Sequence, residues 1–209
     1  LNRSAAVWNV VAAPELGLAL KTWCFPVLGC VGYRGYYTRA AADALAGDLR
    51  TQGLETMVYG VPAYSTLGWS NWVGGDPLLN TFINGAEIDL ARLIFHELSH
   101  QVAYAADDTT FNESFATAVE RIGGRLWLQR HGTAESRAQA ELADQRRQDF
   151  RDFTLRWRGT LLALYQGNET DASKRERKAA LMAQMRTEYQ ALKAERWGGF
   201  AGYDGWFER

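Results

Sequence analysis

Residues 90–102 read LARLIFHELSHQV and hold a His-Glu-x-x-His motif in an apolar, helix-forming run. Positions four apart lie on one face of a helix, so His96 and His100 can direct their imidazoles at one point. Glu97 lies about 100° further round the helix, where its carboxylate can reach a water molecule without taking a coordination position. The pattern predicts two zinc ligands and a general base. The alternative is a helix with two buried, hydrogen-bonded histidines, which is unfavourable because each loses its hydration.

A third protein ligand is needed for a catalytic zinc site. The metzincin layout places a histidine six positions after the second one, where this chain has Ala106. The best candidate is Glu113, in the run Phe-Asn-Glu-Ser-Phe-Ala at residues 111–116, which resembles the second-helix signature of the glutamate zincins and zinc aminopeptidases. Glu113 lies 13 positions after His100, a shorter gap than in those families. A helix to about residue 105, a tight turn and a second helix would bring the carboxylate back to the histidines.

Three alternatives to this ligand set stay open. Thr110 and Glu113 also fit a capping box, in which the carboxylate would only satisfy a backbone N–H. Asp107 and Asp108 are reserve ligands, although their place favours the turn and the start of the second helix. His131 is a further possible ligand, but it is followed by glycine and fits the end of that helix.

Several runs of the chain resemble a bacterial family of zincin-type aminopeptidases, which is known mostly from its sequence pattern. They are 7–15 (VWNVVAAPE), 21–26 (KTWCFP), 30–36 (CVGYRGY), 61–69 (VPAYSTLGW), 79–82 (LNTF) and the whole of 93–117. The resemblance is good over residues 7–120 and loose thereafter. It implies a zinc peptidase in the bacterial cell envelope or periplasm. Members of the family often have a lipoprotein-type leader, so a lipid anchor would lie outside this chain. It also implies that the chain is a piece of a longer precursor.

The residue patterns predict one α+β domain over residues 1–209, and the resemblance implies that its fold is zincin-like. Residues 1–86 are expected to form a small, mostly antiparallel sheet with strands within 7–13, 18–37, 55–65 and 78–84 and a helix over 38–52. Thr38 is the expected N-cap of that helix, and Gly53 follows its end. Residues 87–209 are expected to be helical: the metal helix, a glutamate helix to about residue 130, and a long hairpin of helices over 133–166 and 173–197.

Composition excludes some partners and leaves others open. The formal net charge of −1 gives no reason to expect binding to nucleic acid or to an anionic membrane. No run of about 18 apolar residues is present, so no transmembrane segment is expected. Cys24 and Cys30 can form a disulfide or remain reduced thiols, and the disulfide is favoured only by the implied compartment. The sequence does not set an oligomeric state.

These observations predict a zinc peptidase that binds one Zn²⁺ ion and acts on a peptide substrate. Glu97 would take a proton from the attacking water and pass it to the leaving amine. Tyr64 is the expected oxyanion donor, with Tyr104 and Tyr165 as alternatives. An aminopeptidase also needs an acid for the substrate ammonium group, and the candidates are Glu87, Asp76 and Asp89. The alternative function is a non-catalytic, zinc-stabilised binding module of the bacterial envelope.

The functional prediction is therefore an aminopeptidase that uses one Zn²⁺ ion and hydrolyses peptides. Residues 69–77, which are rich in turn-forming residues and carry two tryptophans, could form a mobile flap over its cleft or, equally, a packed surface loop.

Overall fold

The computed structural model describes residues 5–25, 29–61, 87–106 and 108–208. The fold is α+β, with a small antiparallel sheet near the N-terminus followed mostly by helices, as the sequence predicted. The chain divides into two compact units, Leu1–Glu15 with Ala19–Ala140, and Leu16–Leu18 with Glu141–Arg209. The expectation of one domain over residues 1–209 stays a prediction.

The first unit contains a three-stranded antiparallel sheet in the order β4-β1-β5. Its strands are β1 (Val7–Pro14), β4 (Arg34–Tyr36) and β5 (Leu54–Val61). β1 pairs with β5 along its whole length, from Val7 opposite Val61 to Pro14 opposite Leu54. Because alternate side chains of a strand share a face, Val10 and Ala12 are buried together on one side of the sheet.

Helix α1 (Arg39–Thr51) covers that side of the sheet. Its buried residues Ala42, Ala46 and Leu49 recur at helical spacing and pack with Val10 in one core cluster. The Thr38 side chain accepts a hydrogen bond from the Ala41 N–H at 3.3 Å, and Gly53 follows the helix with a φ of 80°. The predicted helix and both of its end signals are therefore confirmed.

A separate two-stranded hairpin contains both cysteines. It consists of β2 (Trp23–Phe25) and β3 (Gly29–Val31), which pair antiparallel. Cys24 lies directly opposite Cys30, and the two are joined in a disulfide. Of the two states that the sequence left open, the structure has the disulfide.

Helices α2 (Glu87–Val102) and α3 (Thr109–His131) pack against each other in the first unit. α2 begins at the expected residue but ends at Val102, earlier than the expected end near residue 105. The two helices approach closely at a pair of glycines on α3. A Cβ atom at Gly123 would lie 2.8 Å from the Phe95 ring, and one at Gly124 would lie 2.7 Å from Cγ of Arg92.

The expected pair of long helices is present as α4 (Ala134–Gln166) and α5 (Asp171–Arg196), followed by the short α6 (Asp204–Phe207). The second unit contains α4 from Glu141 onward, α5 and α6. Thr170 caps α5 by accepting a hydrogen bond from the Ser173 N–H, so this helix begins two residues earlier than predicted. The aromatic and apolar side chains of its core are Phe153, Trp157, Met185, Tyr189, Trp197 and Phe207.

Polar contacts join the end of the chain to the long helices of this unit. The buried Asp149 carboxylate accepts a hydrogen bond from the Trp197 indole at 3.0 Å. Asp204 accepts from the Tyr189 hydroxyl and forms an ion pair with Lys193 at 2.6 Å. Burial, followed by the bond to Asp204, raises the pKa of Tyr189, whereas the bonds from Lys193 and Tyr189 lower the pKa of Asp204.

In the described part of the chain, no helix has both the length and the apolar character needed to cross a membrane. The expected strand over 78–84 and the candidate flap over 69–77 lie outside the described residues.

Candidate metal centre

Three side chains from α2 and α3 converge on one point. His96 and His100 lie one turn apart on α2, with their ring centroids 5.1 Å apart. Glu113, from the first part of α3, places Oε2 3.4 Å from His96 Nε2 and Oε1 3.8 Å from His100 Nε2. The ligand atoms of the three residues all lie within 4.8 Å of one another, so this group could hold a metal ion.

The spacing and the donor atoms both fit zinc. Two imidazole nitrogens and one carboxylate oxygen form a known ligand set of catalytic zinc sites. Metal–ligand bonds of about 2.0–2.1 Å in a tetrahedral arrangement place neighbouring ligand atoms about 3.3 Å apart. The 3.4 Å from Glu113 Oε2 to His96 Nε2 is close to this value, and the 3.8 Å from the other oxygen, Oε1, to His100 Nε2 is somewhat longer. With one ligand atom taken from each residue, the three atoms lie within 4.8 Å of one another. Small side-chain adjustments would therefore bring all three residues onto one ion.

The start of α3 excludes one alternative role for Glu113. The Asp108 side chain accepts a hydrogen bond from the Phe111 N–H at 2.8 Å, which makes Asp108 the N-cap. Thr110 lies inside the helix and does not cap it, so the capping box between Thr110 and Glu113 is not formed. Asp108 serves the helix terminus, as its position suggested, and Asp107 lies outside the described residues.

Sequence reasoning missed Glu120, which contacts the other side of His96. Its Oε2 atom lies 3.2 Å from His96 Nδ1. With the proton on Nδ1 donated to Glu120, the lone pair on Nε2 is left on the side of Glu113. One signal was available, because Glu120 lies seven positions after Glu113 and therefore on the same face of α3.

Sequence reasoning also missed the role of Asn112, although the residue belongs to the motif around Glu113. Asn112 is 4% exposed, and its side-chain amide makes two hydrogen bonds with the backbone of Ala105, each 2.8 Å long. The amide thus ties the start of α3 to the segment that follows α2. The pairing joins two parts of the chain that the sequence pattern does not relate.

The other predicted site residues are spread more widely. Glu97 is partly buried on α2 beside His96, and its role as general base stays a prediction. Tyr64 lies outside the described residues, so the structure does not test it as oxyanion donor. Tyr104 is exposed after the end of α2, and Tyr165 belongs to the second unit. His131, at the end of α3, lies beside Trp127 and is not part of the group that could hold a metal.

The candidates for binding a substrate ammonium group are likewise only partly described. Glu87 and Asp89 lie in the first turn of α2, and Asp76 lies outside the described residues.

The fold and this site define an α+β protein with a His-His-Glu group that could hold a metal ion. A protein-family model described as "Putative aminopeptidase" matches residues 1–209. The chain belongs to this family, whose description places it among the peptidases. No curated protein and no solved structure matches the chain.

Proposed function

We propose that this protein is a zinc-dependent aminopeptidase. The observation that carries the proposal is that His96, His100 and Glu113 place their ligand atoms close enough together to bind one metal ion. The membership of the chain in a peptidase family supports it. His96 and His100 belong to a His-Glu-x-x-His motif, which also supplies Glu97 next to the first ligand. The donor set and its spacing favour zinc over cations that prefer all-oxygen sites.

The proposed reaction divides its roles between the ion and the protein. A bound zinc ion would polarise the peptide carbonyl and make a water molecule more acidic. Glu97 accepts a proton from that water molecule while the water oxygen attacks the carbonyl carbon. As the C–N bond breaks, Glu97 donates the proton to the leaving amine nitrogen. Tyr64 is the proposed hydrogen-bond donor to the carbonyl oxygen as negative charge develops there.

Glu120 supports the ligand role of His96. A carboxylate that accepts the second N–H of a ligand imidazole fixes the orientation of the ring and its tautomer. The 3.2 Å contact between Glu120 and Nδ1 of His96 is of this kind. Its partly buried position, with 23% of the Glu120 side chain exposed, limits competition from water.

We also propose that the protein works in the bacterial cell envelope or periplasm, either free or as a lipoprotein. The resemblance described above is the basis of this location. The disulfide between Cys24 and Cys30 supports it, because such bonds persist mainly in oxidising compartments.

The test combines metal analysis with peptide cleavage. We expect the purified protein to bind one zinc ion per chain and to cleave peptides with a free N-terminus but not their acetylated forms. Glu97→Gln should retain zinc and lose about 10²- to 10⁴-fold in kcat, because it removes the proton acceptor but no ligand. Glu141→Gln is the matched control, since it makes the same change at an exposed position on α4.

The outcomes separate the parts of the proposal. Cleavage of acetylated peptides at internal bonds would make the enzyme an endopeptidase. Zinc retention with unchanged cleavage by Glu97→Gln would remove Glu97 from the mechanism. Stable zinc binding without cleavage of any peptide would favour the non-catalytic binding module.

A further inference from the structure

The connection between α2 and α3 is closed by one buried side chain. Asn112 Oδ1 accepts a hydrogen bond from the Ala105 N–H, and Asn112 Nδ2 donates one to the Ala105 carbonyl oxygen, both at 2.8 Å. The Ala105 carbonyl oxygen also accepts from the Asp108 N–H at 3.4 Å. Asp108 in turn caps α3. The two ends of the connection are thus held together immediately before Glu113.

We propose that Asn112 is a positioning residue of the metal centre, acting through Glu113. This inference rests on the proposed function, because it takes the convergence of Glu113 on the two histidines as a metal site. The pair of bonds to Ala105 fixes where α3 starts and how it is rotated about its axis. Glu113 is the next residue, so its carboxylate faces α2 only while that rotation is kept.

Helix geometry makes this rotation critical. Successive residues differ by about 100° around a helix axis, so a small change in how the connection closes turns the Glu113 side chain away from α2. His96 and His100 are fixed separately, because both belong to α2. Of the three candidate ligands, Glu113 alone belongs to α3, so its position relative to the two histidines depends on how the connection closes.

Only a primary amide suits this arrangement. Ala105 presents one N–H donor and one C=O acceptor, and the Asn112 amide supplies a matching acceptor and donor. An aspartate at this position would keep the acceptor but place a carboxylate oxygen against the Ala105 carbonyl. Because Asn112 is buried, water cannot easily replace the lost bond.

The experiment uses the full chain and measures metal binding directly. The variants are Asn112→Asp, which changes the donor, and Asn112→Ser, which removes both bonds without adding charge. Gln129→Glu is the matched control, because it makes the same amide-to-carboxylate change at an exposed position of α3. Zinc affinity is measured by competition with a chromogenic chelator, and the coordination geometry by the visible spectrum of the Co²⁺-loaded protein. Far-UV circular dichroism reports whether the helices persist.

We expect both Asn112 variants to retain their helices and to bind zinc about 10- to 100-fold more weakly, while Gln129→Glu binds like the unmodified protein. The Co²⁺ absorption bands should weaken as the Glu113 ligand is lost. The decisive comparison is made in a Glu113→Ala background. There, Asn112→Asp should change zinc affinity by no more than about twofold, because the residue through which it acts is absent.

Three results would overturn the inference. Normal zinc affinity in both Asn112 variants, with the expected loss in Glu113→Ala, would refute it while leaving the proposed function intact. An equal loss with and without Glu113 would show that Asn112 acts on something other than that ligand. Loss of helical structure in both variants would make Asn112 a general folding residue. Failure of the unmodified protein to bind zinc would refute the proposed function itself.

Discussion

Replacing Gly123 by alanine tests how closely α2 and α3 must approach beside the metal centre. An added Cβ atom would lie 2.8 Å from both Cγ and Cδ2 of the Phe95 ring. These atoms include the ring carbon nearest the backbone, so rotating the ring cannot clear the contact. The two helices would have to separate by several tenths of an ångström. Phe95 precedes His96, so this displacement acts directly beside a proposed ligand.

The size of the effect follows from two opposing contributions. Alanine favours a helix interior over glycine by about 0.8–1.0 kcal/mol. Overpacking a close contact costs about 1–3 kcal/mol. Gly123→Ala should therefore change stability by between about 0 and −2 kcal/mol. Gly47, in α1, has no atom within 4 Å of an added Cβ, so Gly47→Ala should gain about 1 kcal/mol.

The assay compares the two variants in urea and thermal unfolding. Both glycines belong to the first unit, so the same unfolding transition is followed. The predicted difference of about 1–3 kcal/mol corresponds to several degrees in Tm, at about 2–4 °C per kcal/mol for a chain of this size. Zinc affinity should fall in Gly123→Ala and stay unchanged in Gly47→Ala. If the two variants are equally stabilised, the close approach of α2 and α3 at Gly123 is wrong.

Three further perturbations have defined outcomes. Glu120→Ala should weaken zinc binding about 10- to 100-fold in chelator competition, because His96 loses the acceptor that orients it, and Glu120→Gln should weaken it less. Asp204→Asn should lower Tm near neutral pH, because the ionised Asp204 carboxylate stabilises the fold through its bonds with Lys193 and Tyr189, which also lower its pKa. The difference in Tm from the unmodified protein should shrink below about pH 4, where the carboxylate becomes protonated. Cys30→Ser should cost about 2 kcal/mol in urea unfolding, the loop-closure entropy of so short a ring, without changing zinc affinity.

The features that the sequence predicted well are local ones. The His-Glu-x-x-His motif places two imidazoles one turn apart wherever the helix lies, and α2 does form over it. Thr38 and Gly53 mark the ends of α1 through bonds and backbone angles within a few residues. Such signals are readable because the groups that interact are close in the chain.

The features that the sequence did not predict join separate elements. Glu120 was visible as a carboxylate on the same face as Glu113, but nothing in the pattern named His96 as its partner. Gly123 and Gly124 lower the helix propensity of α3, and only the packing against α2 explains their place. In both cases the contact depends on the distance between two helices. The periodicity of residues along one helix gives no information about that distance.

The short gap between His100 and Glu113 is explained by the early end of α2. A helix that continued to Ala105 would engage the backbone of that residue in its own hydrogen bonds and leave few residues for the turn. Because α2 ends at Val102, the N–H and C=O of Ala105 are available to the side chain of Asn112. Asn112 then holds the backbone of Ala105 against the start of α3, and the second turn of α3 brings Glu113 to the histidines. The thirteen-residue spacing therefore depends on Asn112, a residue outside the ligand set. We expect that changing Asn112 alters the connection and thereby weakens metal binding.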